Sequence, residues 1–310
     1  MALLFITTPS RSVEGWIKEV KKLNPSLDVR VFPQIGNPDD IRFVVSWYHQ
    51  PGSLKQFKNL KCISSLGAGV EFILEDKNLP QVPIARVVDP SLVQSMKEYL
   101  IWAVLHHVRR MDEYSECEKK RSWPVAPLKV SRAGEICIGI MGLGQLGREV
   151  GKAFVQLGFK VCGWSQSKKN IQGIESFGKN DLVRFLEHSH VLICLLPLTQ
   201  ETENILNKKT FSKLPKGAYV INVARGKHIV EKDLIQAVSK GHLGGACLDV
   251  FRKEPLEKDH PFWKHPKIKV TPHISSITDP LSAAPQLLQN YKRALSDQPL
   301  LNLVDRKRGY

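Results

Sequence analysis

Three side chains able to act on a carbonyl group each follow an apolar run: Arg225 after "YVINVA", Glu254 a short loop beyond "GGACLDVF", and His273 at the end of "IKVTPH". A guanidinium makes a forked contact to a carboxylate and polarises a carbonyl oxygen. An imidazole delivers a proton near neutral pH, and a carboxylate beside it favours its charged form. In an open parallel sheet, ligands lie outside the carboxyl ends of the strands. If the three runs share such a sheet, their polar ends converge on one edge, and beside a nicotinamide they make a reduction site.

A dinucleotide is expected from "IGIMGLGQLGREVGKAF", where Gly142, Gly144 and Gly147 keep G-x-G-x-x-G spacing between an apolar strand and an amphipathic helix. There the first glycine permits the tight turn, the second leaves room for pyrophosphate, and the third lets helix and strand pack closely. Leu143, Gln145 and Leu146 belong to the same turn and are expected at the cofactor. The next strand, "FKVCGW", runs into Ser165, Gln166, Ser167, Lys168 and Lys169, with no acid between Glu149 and Glu175. A carboxylate at this place bonds a ribose 2′-hydroxyl and would repel a 2′-phosphate. Its absence predicts NADPH, with NADH use left open because a flexible ammonium is not a planar fork.

These groups need a scaffold of alternating strands and helices. With 310 residues, 42% of them hydrophobic, the chain suits two cores better than one. The first third alternates apolar runs ("LLFIT", "DVRVF", "IRFVVSW", "KCISSL", "VPIARV") with a helix from about Val13 to Leu23. A helical stretch without Gly or Pro follows from Ser91 to Arg121, and Pro124 and Pro127 then break the pattern. Beyond them, six strand-like runs alternate with helices in a dinucleotide-binding pattern. The helix "PLSAAPQLLQNYKRAL" is expected to return to the first domain. The expectation is an α/β protein of two doubly wound domains: a discontinuous, flavodoxin-like substrate domain (1–98 plus 287–310) and a Rossmann cofactor domain (99–286).

The formal charge of +15 raises nucleic acid as a partner, but Lys and Arg are dispersed apart from short runs such as "DRKR" at 305 to 308. Neither a basic stripe nor a recognition motif accompanies the charge, so anionic small ligands are expected and nucleic acid is not. The six cysteines show no C-x-x-C pair, which reads as reduced thiols in a cytoplasmic protein. No run is long enough for a membrane span. No histidine shows metal-ligand spacing, so no metal is expected. His49 in "WYHQP" is the one further histidine near the presumed substrate pocket, and contact with substrate is left open for it.

Together "SLGAGVEFIL" (65–74), "MGLGQLGREV" (141–150), "LLPLTQETENILN" (195–207), "LPKGAYVINVARGKHIVEKDL" (214–234), "GACLDVFRKEPL" (245–256) and "TPHISS" (271–276) resemble the D-isomer-specific 2-hydroxyacid dehydrogenase family, within it the glyoxylate/hydroxypyruvate reductase A branch. The resemblance covers nearly the whole chain. It implies that Arg225 binds the substrate carboxylate and 2-oxo oxygen, that His273 is the acid/base, and that Glu254 orients and charges the imidazole. It implies substrate contacts from Ala68, Gly69 and Val70 and an aromatic cover from Trp47. It places Leu196, Pro197, Thr199, Val223, Ala224 and Asp249 at the cofactor, with Asp249 facing the nicotinamide amide. The reaction implied is NADPH-dependent reduction of a small 2-oxoacid, glyoxylate or hydroxypyruvate, to glycolate or D-glycerate, with domain closure excluding water. The long helix resembles the family's dimer-forming element, so a homodimer is expected. Two departures stand out: Glu71 replaces the usual Asp, and Gln166 replaces the arginine of a Ser-Arg-Ser turn. The alternatives are an NAD-using dehydrogenase of another 2-hydroxyacid and a non-catalytic dinucleotide-sensing partner protein.

Overall fold

The computed structural model describes residues 1–7, 12–128, 130–307 and 309; Arg308, the end of the basic run at 305 to 308, lies outside them. By internal contact the chain divides into two units, Met1–Leu92 with Ile277–Tyr310, and Val93–Ser276. The sequence pattern puts these cuts at 98/99 and 286/287, positions that fall inside helices, where composition marks no change of unit.

The first unit begins with β1 (Ala2–Thr7), α1 (Glu14–Leu23), β2 (Asp28–Val31), β3 (Ile41–Trp47), β4 (Cys62–Ser65), α2 (Glu71–Leu74) and β5 (Ile84–Ala85). Its strands pair in parallel in the order β2-β1-β3-β4-β5, the flavodoxin-like arrangement. The run "ALLFI" is apolar throughout because both faces of β1 are covered. Leu3 and Phe5 enter one core with Trp16, Val20, Leu287 and Tyr291, while Leu4 and Ile6 enter the opposite core with Val44, Ile63 and Ile73.

The second unit opens within α3 (Pro90–Val108) and continues through α4 (Met111–Lys119), β6 (Cys137–Met141), α5 (Gln145–Gln156), β7 (Lys160–Trp164) and β8 (Ile174–Phe177). Next come α6 (Leu182–His188), β9 (Val191–Cys194), α7 (Lys208–Phe211), β10 (Ala218–Asn222), α8 (Glu231–Ser239), β11 (Leu243–Leu248), α9 (Pro261–Lys264) and β12 (Ile268–Val270). The strands form a parallel sheet in the order β12-β11-β10-β9-β6-β7-β8. Strand order reverses between β6 and β9, which is where a doubly wound sheet opens a crevice for a dinucleotide. The chain then returns to the first unit as helix α10 (Pro280–Leu295), whose Asp279 carboxylate caps the Leu281 N–H at 3.0 Å.

Two elements differ from the sequence pattern. The stretch 91–121 is two helices, not one, broken where Arg110 takes a left-handed backbone (φ 55°). The Arg110 guanidinium forks the Glu113 carboxylate at 2.6 Å through both nitrogens, and Asp112 meets Lys269 of β12 at 3.1 Å. Charge contacts of this kind, made in the folded chain, redirect the helix without a Gly or Pro. The sheet also has a seventh strand among the described residues, β8, where six were expected. "IESF" is short and buries Ile174 and Phe177, three apart, so it lacks the alternation that announces a strand.

Candidate active site

Strand β10 ends at Asn222, a polar residue buried completely in an otherwise apolar run. Its Oδ1 accepts from the Ala224 N–H (3.2 Å) and its Nδ2 donates to the Arg225 carbonyl (2.9 Å), so the side chain shapes the turn that presents Arg225. Gly226 sets where that turn lies: a Cβ on it would fall 1.8 Å from the Phe251 carbonyl carbon. Only glycine permits this approach, which brings Arg225 beside the segment leading to Glu254. His228 is fully buried, takes the Arg225 N–H on Nδ1 (3.3 Å) and donates from Nε2 to the Pro197 carbonyl (3.3 Å). It ties the Arg225 turn to the loop after β9.

His273 lies beyond the end of β12 with a left-handed backbone (φ 55°), and its N–H donates to the Asp249 carbonyl at 2.9 Å. Its Nδ1 lies 2.7 Å from Glu254 Oε2, while Glu254 Oε1 accepts from the Phe251 N–H at 2.9 Å. A carboxylate only accepts, so Nδ1 carries the hydrogen and Nε2 is left to exchange a proton. Burial pushes the Glu254 carboxyl up, but His273, the Phe251 N–H and the Arg225 charge outweigh it and hold the group below the usual carboxylate range. The Glu254 and His273 side chains remain about a third exposed, at 36% and 35%. The structure thus gathers Arg225, Glu254 and His273, and a guanidinium beside a solvent-reached imidazole held by a carboxylate is equipped to hold a carbonyl oxygen and exchange a proton with it.

Asp249 is fully buried and its carboxylate is engaged within the chain: Oδ1 accepts from Thr271 Oγ1 (2.6 Å) and the Ile274 N–H (2.9 Å), Oδ2 from the Ser275 N–H (2.8 Å). These bonds clamp the turn on both sides of His273. Asn222, Gly226, His228 and Thr271 were absent from the residues predicted for the site. A polar residue inside an apolar strand, as in "YVINV", was the available signal.

The glycine turn after β6 fits a pyrophosphate. Gly142 has φ +107°, and a Cβ on Gly147 would sit 1.9 Å from the Gly142 carbonyl oxygen, so the helix is pressed against the strand end. A Cβ on Gly144 would meet nothing within 4 Å, and Gly144 heads α5 without a side-chain cap. The first-turn amides from Gln145 to Gly147 therefore face an open cradle suited to an anion. Leu143 packs beneath the turn in the core, with Leu146 partly buried against the same cluster. Beyond β9, Leu196 and Pro197 lead into a loop fixed by Thr202, whose hydroxyl donates to the Pro197 carbonyl (2.7 Å) and accepts the Thr199 N–H (2.8 Å). Val223 and Ala224 are buried at the end of β10.

The turn after β7 is built differently. Ser165 donates to the Ser167 carbonyl (2.8 Å), and Lys169 Nζ donates to Ser167 Oγ (3.0 Å). No acid occurs within the segment, yet two arrive from elsewhere: Gln166 Nε2 donates to Glu201 (2.9 Å), which also pairs with Lys179 (3.2 Å), and Lys168 pairs with Asp181 (3.4 Å).

In the first unit, Ala68 is exposed, Gly69 half-buried and Val70 buried. Ser65 Oγ bridges their loop, donating to the Gly69 carbonyl (2.6 Å) and accepting the Gly67 N–H (3.2 Å). The Trp47 ring lies 4.9 Å from Phe72, on which Tyr48 stacks at 5.1 Å. His49, in the same segment as Trp47, is the histidine for which the sequence leaves substrate contact open. Its buried ring is used internally, Nδ1 bonding Ser46 Oγ (3.0 Å) and Nε2 bonding Asp76 (3.1 Å). Burial raises the Asp76 carboxyl, but the Gly52 and Asn78 N–H groups and His49 together hold it below the usual range. Among the described residues, no group of three or more His, Cys, Asp or Glu is arranged to hold a metal ion.

Comparison with known proteins gives a consistent result. The family described as "D-isomer specific 2-hydroxyacid dehydrogenase, NAD binding domain" matches residues 101–275. The chain is 38% identical over 302 residues to a glyoxylate/hydroxypyruvate reductase A of Klebsiella pneumoniae (strain 342), covering 95% of this chain and 96% of the relative. A D-isomer specific 2-hydroxyacid dehydrogenase from Xanthobacter autotrophicus Py2, solved with NADPH and MES, superposes with a TM-score of 0.93 at 36% identity, covering 100% and 99% of the two chains. An NADPH-dependent glyoxylate/hydroxypyruvate reductase from Sinorhizobium meliloti, solved with NADP and sulfate, also gives 0.93, at 33% identity and 100% coverage of both.

Proposed function

The chain belongs to the D-isomer specific 2-hydroxyacid dehydrogenases, and from that premise we propose that it reduces glyoxylate and hydroxypyruvate to glycolate and D-glycerate, taking NADPH in preference to NADH. It is an NAD(P)-dependent oxidoreductase with a Rossmann cofactor unit. The observation that carries the proposal is the 2.7 Å Glu254–His273 pair at the sheet edge that also presents Arg225.

When bound at the glycine turn, the dinucleotide supplies the hydride for the carbonyl carbon. Arg225 binds the substrate carboxylate and polarises the 2-oxo oxygen. His273 Nε2 gives that oxygen its proton, and Glu254 holds the opposite nitrogen so that the ring keeps one orientation with a negative charge beside it. In the first unit, the backbone amides of Gly69 and Val70, with Ala68 beside them, are the groups proposed for an anionic substrate, and Trp47 the aromatic proposed to limit its size.

NADPH preference is supported by the acid-free segment 165–169, and NADH use by the two carboxylates that reach it from elsewhere, Glu201 on Gln166 and Asp181 on Lys168. A homodimer is supported by the large apolar side chains that α3, α4 and the following segment expose: Trp102, Leu105, Met111 and, almost completely, Trp123 and Val125. No helix of the described residues is long and apolar enough to cross a membrane. A cytoplasmic location is supported by six free thiols.

Initial rates for a panel of 2-oxoacids with each nicotinamide test the reading. Turnover of glyoxylate or hydroxypyruvate with NADPH is expected; cofactor binding without turnover of any 2-oxoacid would overturn it in favour of a dinucleotide sensor.

A further inference from the structure

Tyr99, on α3, is not among the residues that the reaction uses directly, yet its hydroxyl lies 2.6 Å from Thr271 Oγ1 and 3.3 Å from Cys247 Sγ. Thr271 Oγ1 in turn donates to Asp249 Oδ1 at 2.6 Å. The direction of this chain is fixed by its end. A carboxylate only accepts, so the threonine hydrogen points to Asp249, and the tyrosine hydrogen must then point to Thr271. Burial pushes the Tyr99 phenol well above its usual range, which keeps it the donor, and burial likewise pushes the Cys247 thiol up to about 11. The series Tyr99–Thr271–Asp249 is thus a set of hydrogen bonds aligned in one sense, each polarising the next.

What the series holds is the turn of His273. Asp249 receives Thr271 from one side of the histidine and the Ile274 and Ser275 N–H groups from the other. Between them His273 keeps a left-handed backbone (φ 55°), a conformation that a non-glycine residue retains only when its surroundings dictate it. Resting on the acid/base role given to His273 above, we propose that Tyr99 is a positioning residue, which through Thr271 and Asp249 fixes the turn that aims the His273 imidazole. The alternative is a buried tyrosine whose hydroxyl found a convenient acceptor, and the two differ in what removal of the hydroxyl alone does.

The test uses the full chain with Tyr99→Phe, Thr271→Val and the double variant. In Tyr99→Phe, amide exchange at 274 and 275, measured without substrate, is expected to rise about tenfold through easier local opening. Turnover should fall about five- to tenfold as the imidazole loses its aim, with NADPH affinity from fluorescence titration within about twofold of the parent. The double variant should lose no more turnover than Thr271→Val alone, because both act through one series. Unchanged exchange at 274 and 275, or additive losses in the double variant, would overturn the proposal. If Tyr99→Phe does not fold, Thr271→Ser, which keeps the hydroxyl, should exchange like the parent where Thr271→Val does not; equal exchange in the two would again overturn it. A parent protein that binds NADPH but reduces no 2-oxoacid defeats the functional reading only, and exchange still decides the role of Tyr99 in holding the turn.

Discussion

Two kinds of turn in the cofactor unit hold their polar side chains by opposite means. The turns presenting Arg225 and His273 are tied by the buried groups Asn222, His228 and Asp249, whose partners are mostly backbone. The turn after β7 is held by exposed side chains paired with one another, Gln166 and Lys179 with Glu201, and Lys168 with Asp181. Buried polar groups with every partner in place specify one geometry, since any other leaves a desolvated atom unpaired. Exposed ion pairs are screened and readily exchanged. Under the proposed function, the contrast separates a tightly specified site for chemistry from a more adjustable site for choosing the nucleotide.

The rigid side breaks most visibly when its reacting groups go. Arg225→Ala and His273→Ala should each lower kcat/KM by about a thousandfold or more, with NADPH titration almost unchanged; turnover near the parent value in either would remove that residue from the reaction. Glu254→Gln should cost about a hundredfold, because the amide can hold the ring but removes the negative charge beside it. That carboxylate also contributes to stability with a defined sign. Its folded value is depressed, so its contribution is complete above the ordinary glutamate value of about 4.3 and is lost as pH falls through the lowered folded value. The melting gap between parent and Glu254→Gln should therefore hold constant from neutral pH to about pH 5 and close only below that. A gap that closes between pH 7 and 6 would place the charge elsewhere.

A smaller break comes from Asp249→Asn. The amide can orient its oxygen toward only part of the donor set, leaving an N–H of Ile274 or Ser275, or the Thr271 hydroxyl, facing an NH2 group. Leaving a buried donor unpaired costs about 1–3 kcal/mol, which thermal or urea unfolding would register, and a variant as stable as the parent would show the clamp to be dispensable.

The two kinds of turn also differ in how legible they are in the chain. Arg225, His273 and the three glycines can be read because each follows an apolar run at or just beyond the end of a strand, and Glu254 because it stands a short loop beyond one; strand ends of a parallel sheet face the same edge. Asn222 and Asp249 interrupt runs in the same way, but their side chains turn back to the backbone, which no linear pattern reveals. The left-handed Arg110 and the partner Glu201, 35 residues from Gln166, exist only through contacts made after folding. His49 shows the converse: its neighbours in "WYHQP" leave a substrate role open, while its own ring completes a buried bond to Asp76 that no linear pattern reveals.

The smallest effect belongs to the adjustable turn, and it has a direction. Glu201 holds Lys179 at 3.2 Å and Gln166 at 2.9 Å, and both pairings hold its carboxyl below the usual range, so it is charged throughout the working pH range. A negative charge bonded to the cofactor turn opposes a 2′-phosphate and occupies a cation that could meet it, whereas a ribose 2′-hydroxyl is indifferent to both effects. Glu201→Gln should accordingly tighten NADPH about two- to fivefold, the range spanned by exposed ion pairs, and leave NADH unchanged. Because the Debye length shrinks from about 10 Å at 0.1 M salt to about 3 Å at 1 M, the gain should fade as salt is raised. Fluorescence titration of both cofactors at two salt concentrations measures this, and equal tightening of NADH and NADPH, or a gain indifferent to salt, would show that Glu201 shapes the turn instead of discriminating by charge.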